Sequence, residues 1–548
     1  MRPLLPRGPP TDEERQLYCK GLPSRPKLVA RSSTYDWVNI YSFDRIRGWY
    51  SYADPDLYVL RPVGSYPHLH RLWNNASSSL RVQILRALSV ANWTAIDILR
   101  VCINGKDPIT LMVAVTPGSL TWTEGYAIAR ECKSIFARYG IFLDCEIRES
   151  VVTFCTADAL ETSSTADATV ESSADSTNKT GSPKTFQLFS GPMPENDDWM
   201  YATTWTNFSD VLGTTISMKH RASLTGTKGL YLSLSPPSPG AEPKILALTC
   251  RHVVIDSKTE GGLETYCRPE SAPFKEAIQV DQPYYEDMVK SLEHRISSYR
   301  KDSNHFFNGW IPYSPYAENV LSLQQAITPF DVASSRVFGQ LLYSPELSTA
   351  ATEPEAQWLR DWALIELLPG SHQSPLSLIK NKVDIGSVVD FLTALFGRKQ
   401  VAMDMEAESG CQTMQSSVVP TDQIFKSDCT AEDESMTVIK YGLRGTFTLG
   451  HGNTLKSIVR HPETPGGVKR ESEAWGIVSV VPARVCLQEP FSGAGDSGAC
   501  VWDMKRRPAG MITAGSGSSE QVYDITYAQP LEGILEDMKS CGYDVSVI

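Results

Sequence analysis

The sequence has no apolar run near the roughly 18 residues that a membrane-spanning helix requires, and so offers no helical span. Its opening, M-R-P-L-L-P-R-G-P-P-T-D-E-E-R, holds two leucines but no apolar h-region. No secretory signal is therefore expected, and the compartment reads as cytoplasmic or nuclear. No C-x-x-C pair occurs among the twelve cysteines, which are spread from Cys19 to Cys541. That spread predicts reduced thiols, not a zinc site or a disulfide framework. Positive charge is also short: 51 Lys and Arg stand against 63 Asp and Glu, for a net charge of −12. This balance argues against a nucleic-acid or anionic-membrane surface as a partner. With neither a phosphate-cradling glycine loop nor metal-ligand spacing in view, no cofactor and no metal are expected.

What is present divides the chain. Residues 1–30, rich in Pro, Arg and Gly, read as a flexible arm. Residues 31–155 read as a small α/β domain of unassigned role, able to recruit a protein partner. In it Ile109 to Val115 forms a continuous apolar strand, Leu80 to Val101 looks helical, and Thr121 to Glu124 has the T-x-x-E capping-box pattern ahead of a helical apolar face. Residues 156–185 hold almost no large apolar side chain and read as a flexible linker. Beyond the linker the pattern changes to short strands. Gly229 to Leu234 and Lys244 to Thr249 flank a proline-rich turn as a hairpin, and Tyr284 to Arg300 is an amphipathic helix within an insertion spanning about 256–345. Strands resume after about residue 435, and Leu531 to Cys541 reads as a closing helix ended by Gly542.

The chemistry gathers around Glu489 to Val501, E-P-F-S-G-A-G-D-S-G-A-C-V. Two glycines flanking Ser497 let the main chain turn tightly and aim N–H groups at one point. A nucleophilic serine needs such amides, and it needs a base and a group that orients the base. His252, after the apolar strand Lys244 to Thr249, and Asp361, entering the apolar run D-W-A-L-I-E-L, fill those roles. Asp331 is the rival orienter, but only Asp361 opens a sustained buried strand. Cys250 reads as a small buried side chain, with a competing nucleophile or metal ligand as the less favoured role. The remaining histidines read as structural. The order His252, Asp361, Ser497, with separations of 109 and 136 residues, differs from the order in α/β-hydrolases and subtilisins, and G-D-S-G-A is not the G-x-S-x-G elbow.

Thr249-Cys250-Arg251-His252, Asp361 in D-W-A-L-I-E-L and Ser497 in G-D-S-G-A together resemble the chymotrypsin-like or trypsin-like serine peptidases, more narrowly fungal intracellular proteins with a trypsin-like domain. The resemblance covers about 220–548. It implies an all-β double β-barrel there, which with the small N-terminal α/β domain and the helical insertion makes an α+β multidomain chain whose peptidase part spans 186–548. The first barrel would span about 210–384, the second about 435–530, with the closing helix at 531–541. It implies a serine endopeptidase acting on polypeptide, with His252 as general base, Asp361 as its orienter and Ser497 as nucleophile. It further implies an oxyanion hole from the N–H groups of Gly495 and Ser497, and a primary pocket with Phe491 as floor and Thr513, Ala514 and Gly515 as wall. A phenylalanine floor has no carboxylate for a basic side chain, so small or apolar side chains are expected there. The family often pairs the aspartate before the serine, here Asp496, with a freshly cleaved N-terminus. No such activation site is visible near the start of the first barrel, so Asp496 is expected either to find another partner or to leave the site disordered until something binds. A second class of reading is a catalytically silent pseudo-peptidase that keeps the barrels as a protein-interaction scaffold.

Overall fold

The computed structural model describes residues 8–37, 58–102, 106–158, 186–190, 193, 199–236, 238, 240, 242–256, 264–305, 315–353, 356–384, 411–426, 435–442, 447–461, 470–480, 488–519 and 521–548. Beyond Asp158, the segment read as a linker lies outside them. Among the described residues, no helix is long and apolar enough to cross a membrane. No disulfide joins the described cysteines.

The first 30 residues are not an arm over their described part. Thr11 caps the helix Asp12–Leu17 by accepting from the Glu14 N–H, and acidic residues fill its first turn, where the helix dipole favours them. Tyr18, Cys19 and Leu22 are then buried, and the strand Leu28–Arg31 pairs with Asp144–Glu149. Apolar anchors outweigh the Pro- and Arg-rich composition here.

The expected helix from Leu80 to Val101 is two elements. Ser78 caps the helix Ser79–Leu88, and Trp93–Cys102 is a strand paired with Ile109–Val115. Thr94, Ile96, Ile98 and Val101 are β-branched and suit a pleated surface, although their apolar spacing also fits a helical face. The capping box at Thr121 forms as its pattern predicts, and the helix Trp122–Arg138 buries Ile128, Ala129, Cys132, Ile135 and Phe136. Those residues pack with Ile96, Ile98, Leu111 and Val113 of the sheet.

That sheet does not end with the N-terminal strands. Ala95 and Ile96 pair with Val459 and Ile458 of the long strand Phe447–Arg460, and so join a 14-stranded sheet. Buried charge spans the same seam: Glu473 accepts from Arg81 and Lys456, with the Lys456 Nζ contact at 3.0 Å. Within the sheet six strands pair in a closed cycle. In order they are Phe447–Arg460, Thr437–Tyr441, Cys500–Asp503, Pro508–Gly517, Ile525–Pro530 and Glu471–Ser479, the last pairing back to the first. Trp475, Trp502, Val501 and Ile512 are buried within or beside this cycle.

A second sheet of ten strands carries the hairpin Leu230–Leu234 and Lys244–Thr249, followed in pairing order by Ala363–Leu367, Val337–Ser344, Glu276–Gln279, Thr215–Met218 and Arg221–Thr227. The helices Gln282–His305 and Pro315–Ile327 lie between its strands in sequence and bury Tyr285, Met288, Leu292, Val320 and Leu323 in the same core. The closing helix Leu531–Ser540 ends before Gly542, which takes φ 90°.

Candidate active site

Strand register brings the first two site residues together. Thr249 pairs with Ala363, so the segments just past one strand and just before the other share one end of the sheet. The chain turns through one short helix, Arg251–Val254, which presents His252 there. Asp361 precedes its strand, is 1% exposed, and grips His252 twice: Oδ1 accepts the His252 N–H at 3.1 Å and Oδ2 lies 2.6 Å from Nδ1. A carboxylate facing Nδ1 holds the proton on that nitrogen, leaving Nε2 as an acceptor. Nε2 is 2.7 Å from the Ser497 Oγ, whose other neighbour is the Thr513 carbonyl at 3.2 Å.

The Ser497 turn is clamped from both sheets. Thr227, on the ten-stranded sheet, donates twice, from N to the Ser497 carbonyl at 2.8 Å and from Oγ1 to the Gly495 carbonyl at 2.7 Å, and its own carbonyl accepts from the Thr249 hydroxyl at 2.8 Å. Gly495 and Gly498 take φ 95° and 92°, a region that residues with a Cβ avoid. In that geometry the N–H groups of Gly495 and Ser497 converge on one acceptor, the carbonyl oxygen of Cys155, at 2.6 and 3.0 Å.

Asp496 has its partner. Its Oδ2 lies 2.7 Å from the Lys440 Nζ and accepts the Gly493 N–H at 2.9 Å, and the two charged side chains are each 6% exposed. An internal ammonium thus supplies the counter-charge for Asp496. Arg251, beside the histidine in sequence, points elsewhere: its guanidinium donates to the Ser344 hydroxyl and to the carbonyls of Pro345 and Glu264.

The residues expected to line a pocket surround Cys155. Phe491 is buried in one cluster with Cys155, Tyr523 and Ile512. Thr513 accepts the Cys155 N–H through its carbonyl, Ala514 pairs with Phe154 and Gly515 with Thr153. Tyr523 packs so closely on Gly515 that a Cβ there would meet its ring at 2.3 Å. The Cys155 side chain sits close to the Ser492 hydroxyl, and desolvation, with the Asp496 charge adding to it, pushes its thiol well up, so that it stays neutral.

Among the described residues, Cys250, His252 and Asp361 are the group with metal-type donors, all within 4.8 Å of one another. Burial, with Asp361 adding to it, holds the Cys250 thiol protonated, and it donates to the Ile512 carbonyl at 3.2 Å. His252 and Asp361 already satisfy each other, so the donor set suits a hydrogen-bond relay better than a cation.

Three contributors escape a linear reading: Lys440, Cys155 and Asp537. From the closing helix, Asp537 Oδ2 accepts from Trp362 Nε1 at 2.7 Å and from Arg360 Nε at 2.9 Å, and so braces both neighbours of Asp361. An aspartate inside the amphipathic helix L-E-G-I-L-E-D-M-K-S gives no local sign of that bond.

No family model matches the chain, and no curated protein matches it. Among solved structures it is similar to the chymotrypsin of Cellulomonas bogoriensis, at 11% identity and a TM-score of 0.27, over 62% of this chain and 97% of that one. It is also similar to the Rv3671c protease from M. tuberculosis in its active form, at 10% identity and a TM-score of 0.23, over 67% and 95% of the two chains.

Proposed function

We propose that this chain is a serine endopeptidase that cleaves peptide bonds through an acyl-enzyme, on a double-barrel plan of the chymotrypsin type. The observation that carries the reading is the continuous contact Asp361–His252–Ser497, at 2.6 and 2.7 Å, beside two N–H groups that already hold a peptide carbonyl. Ser497 Oγ attacks the substrate carbonyl carbon as His252 Nε2 takes its proton. The resulting oxyanion sits on the Gly495 and Ser497 N–H groups. His252 then gives the proton to the departing amine, and water repeats the sequence on the ester to release the acid. Asp361 keeps the imidazole in the tautomer that can accept and offsets the charge of the imidazolium. The primary pocket at Phe491, Thr513, Ala514 and Gly515 takes a small, uncharged side chain.

The scaffold reading would gain from a histidine out of reach of Asp361, from Asp496 without a counter-charge or from amides turned away. The geometry supports the opposite on each point. A fluorophosphonate probe is expected to label the protein at Ser497, with Ser497→Ala abolishing labelling. A folded chain that fails to react at saturating probe refutes the peptidase reading.

A further inference from the structure

The active-site cleft is filled by the chain's own backbone. Val151, Val152, Thr153 and Phe154 pair antiparallel with Gly517, Ser516, Gly515 and Ala514, one residue after another along the wall of the primary pocket. Cys155 follows with its N–H on the Thr513 carbonyl, its side chain in the small pocket with the Sγ 3.9 Å from the Ser492 hydroxyl, and its carbonyl oxygen on the Gly495 and Ser497 amides. Phe154 stacks on His252 with ring centroids 4.1 Å apart, and its other neighbour is His461 at 5.9 Å. On the far side of Cys155 the chain pairs again: Ala157 and Asp158 lie against Thr225 and Leu224 of the other sheet.

An adventitious strand would need only the first set of contacts. Here backbone pairing on both sides of one peptide bond is combined with a filled pocket and a carbonyl polarised by two converging amides. That is the set of contacts a peptidase makes with the substrate it is about to cut. From this geometry we infer that the protein is its own substrate and cleaves the Cys155–Thr156 bond. The inference rests on the peptidase reading above. Ser497 Oγ bonds to the Cys155 carbonyl carbon and the bond from that carbon to the Thr156 nitrogen breaks. The proton removed from Ser497 passes through His252 Nε2 to the Thr156 nitrogen, which leaves as an amine. A water molecule then hydrolyses the ester, which gives a carboxylate on Cys155 and restores the Ser497 hydroxyl.

The two products stay together. The strands Leu28–Arg31, Trp93–Cys102, Ile109–Val115 and Asp144–Glu149 belong to the same sheet as Phe447–Arg460, and neither those pairings nor the Arg81–Glu473 contact depends on the bond that is cut. The new carboxyl end at Cys155 therefore remains tethered beside the serine as a product-type occupant. Access for another polypeptide requires only that the short strand Val151–Phe154 peel away. The same contacts name the preferred sequence for such a substrate: a small, uncharged residue before the cut and an aromatic residue preceding it.

The test uses the full chain, the Ser497→Ala variant and the Cys155→Arg variant. Ser497→Ala removes one oxygen and leaves the fold untouched. Arginine at 155 is too long for the space beside Gly515, where Tyr523 packs against the backbone, so it leaves the cleft open and the bond whole. On a denaturing gel and by intact mass, the parent chain is expected as two fragments, residues 1–155 and 156–548, that co-elute as one species under native conditions. Both variants are expected whole. Tagged Ser497→Ala co-expressed with the parent is expected to stay whole, because the substrate strand is already seated in its own cleft. With the cleft open, Cys155→Arg is expected to react with the fluorophosphonate probe at least tenfold faster than the cut parent. Phe154→Glu, which removes the stacking on His252, replaces it if Cys155→Arg does not fold. A whole parent chain alongside a reactive variant overturns self-cleavage and leaves the peptidase standing. A cut at any other bond overturns the assignment of Cys155–Thr156. If neither chain reacts with the probe, the peptidase reading falls and self-cleavage falls with it.

Discussion

Replacing Lys440 with methionine tests the reasoning at its most exposed point, because two separate quantities should change by different routes. The Lys440–Asp496 contact is 2.7 Å and both side chains are 6% exposed, so the variant leaves in the interior a carboxylate that has lost its ammonium partner and still accepts from the Gly493 N–H. Breaking a buried pair from one side costs about 3–5 kcal/mol. Urea unfolding followed by tryptophan fluorescence should show that loss. Activity should fall by a separate route. Asp496 anchors the turn from Gly493 to Ser497, and without the ammonium the turn relaxes and the Gly495 N–H leaves the position where it meets a carbonyl. Losing one oxyanion donor lowers kcat by about 10²–10³.

The double variant Lys440→Met/Asp496→Asn separates the two effects. With no charge left buried, stability should return to within about 1 kcal/mol of the parent, since neutral replacement of both partners is often tolerated. Hydrolysis of a peptide with phenylalanine and a small residue before the scissile bond should stay slow, because asparagine does not restore the ionic anchor. A single variant that loses under about 1 kcal/mol and keeps its rate would refute the structural role given to this pair.

Two further outcomes follow from the same geometry. Asp537→Ala strips the acceptor from Trp362 Nε1 and Arg360 Nε, on either side of Asp361, and should cost about 1–3 kcal/mol in urea unfolding, as expected for buried donors left without partners. It should lower kcat at least tenfold with little change in KM, and an unchanged kcat would show that the brace does not act through Asp361. Burial lowers the pKa of His372 from 6.5 to about 3, with the Lys228 charge adding to the effect. Below pH 6.5 the unfolded chain therefore takes up a proton that the folded chain refuses, and stability falls with falling pH by about 1.4 kcal/mol per unit until the folded value is reached. His372→Gln should remove that share, so the stability difference between variant and parent should drift by this slope in urea titrations from pH 6.5 to 4. A difference that stays flat with pH would refute the assignment.

How much of this could be read along the chain depended on whether the signal was local. His252, Asp361 and Ser497 each sit at the edge of an apolar strand or between glycines, so the pattern of burial around them marks them out before any fold is known. The Thr121 capping box is equally local and forms as its spacing predicts. The 80–101 stretch was ambiguous because β-branched residues at positions 94, 96 and 98 carry apolar spacing compatible with both periods, and only pairing with Ile109–Val115 resolves it. Lys440 lies in T-V-I-K-Y, where a lysine in an alternating strand reads as solvent-facing. Its burial becomes visible only when Asp496 arrives from 56 residues away.

Sequence alone determined the residue types of the candidate site and their order, because the proposed hydroxyl nucleophile, its base and the glycines around it are dictated by chemistry and by backbone freedom at each position. It also determined the character of most elements, through the two periods of burial. Tertiary structure decided which surfaces met. The segment Val151–Phe154 is an ordinary short strand by composition, and Cys155 an ordinary small residue. Their place in the cleft depends on strand register with Pro508–Gly517 and on two amides more than 300 residues further along the chain. Pairing of that kind is set by the closure of a whole sheet, and no local stretch of side chains encodes it.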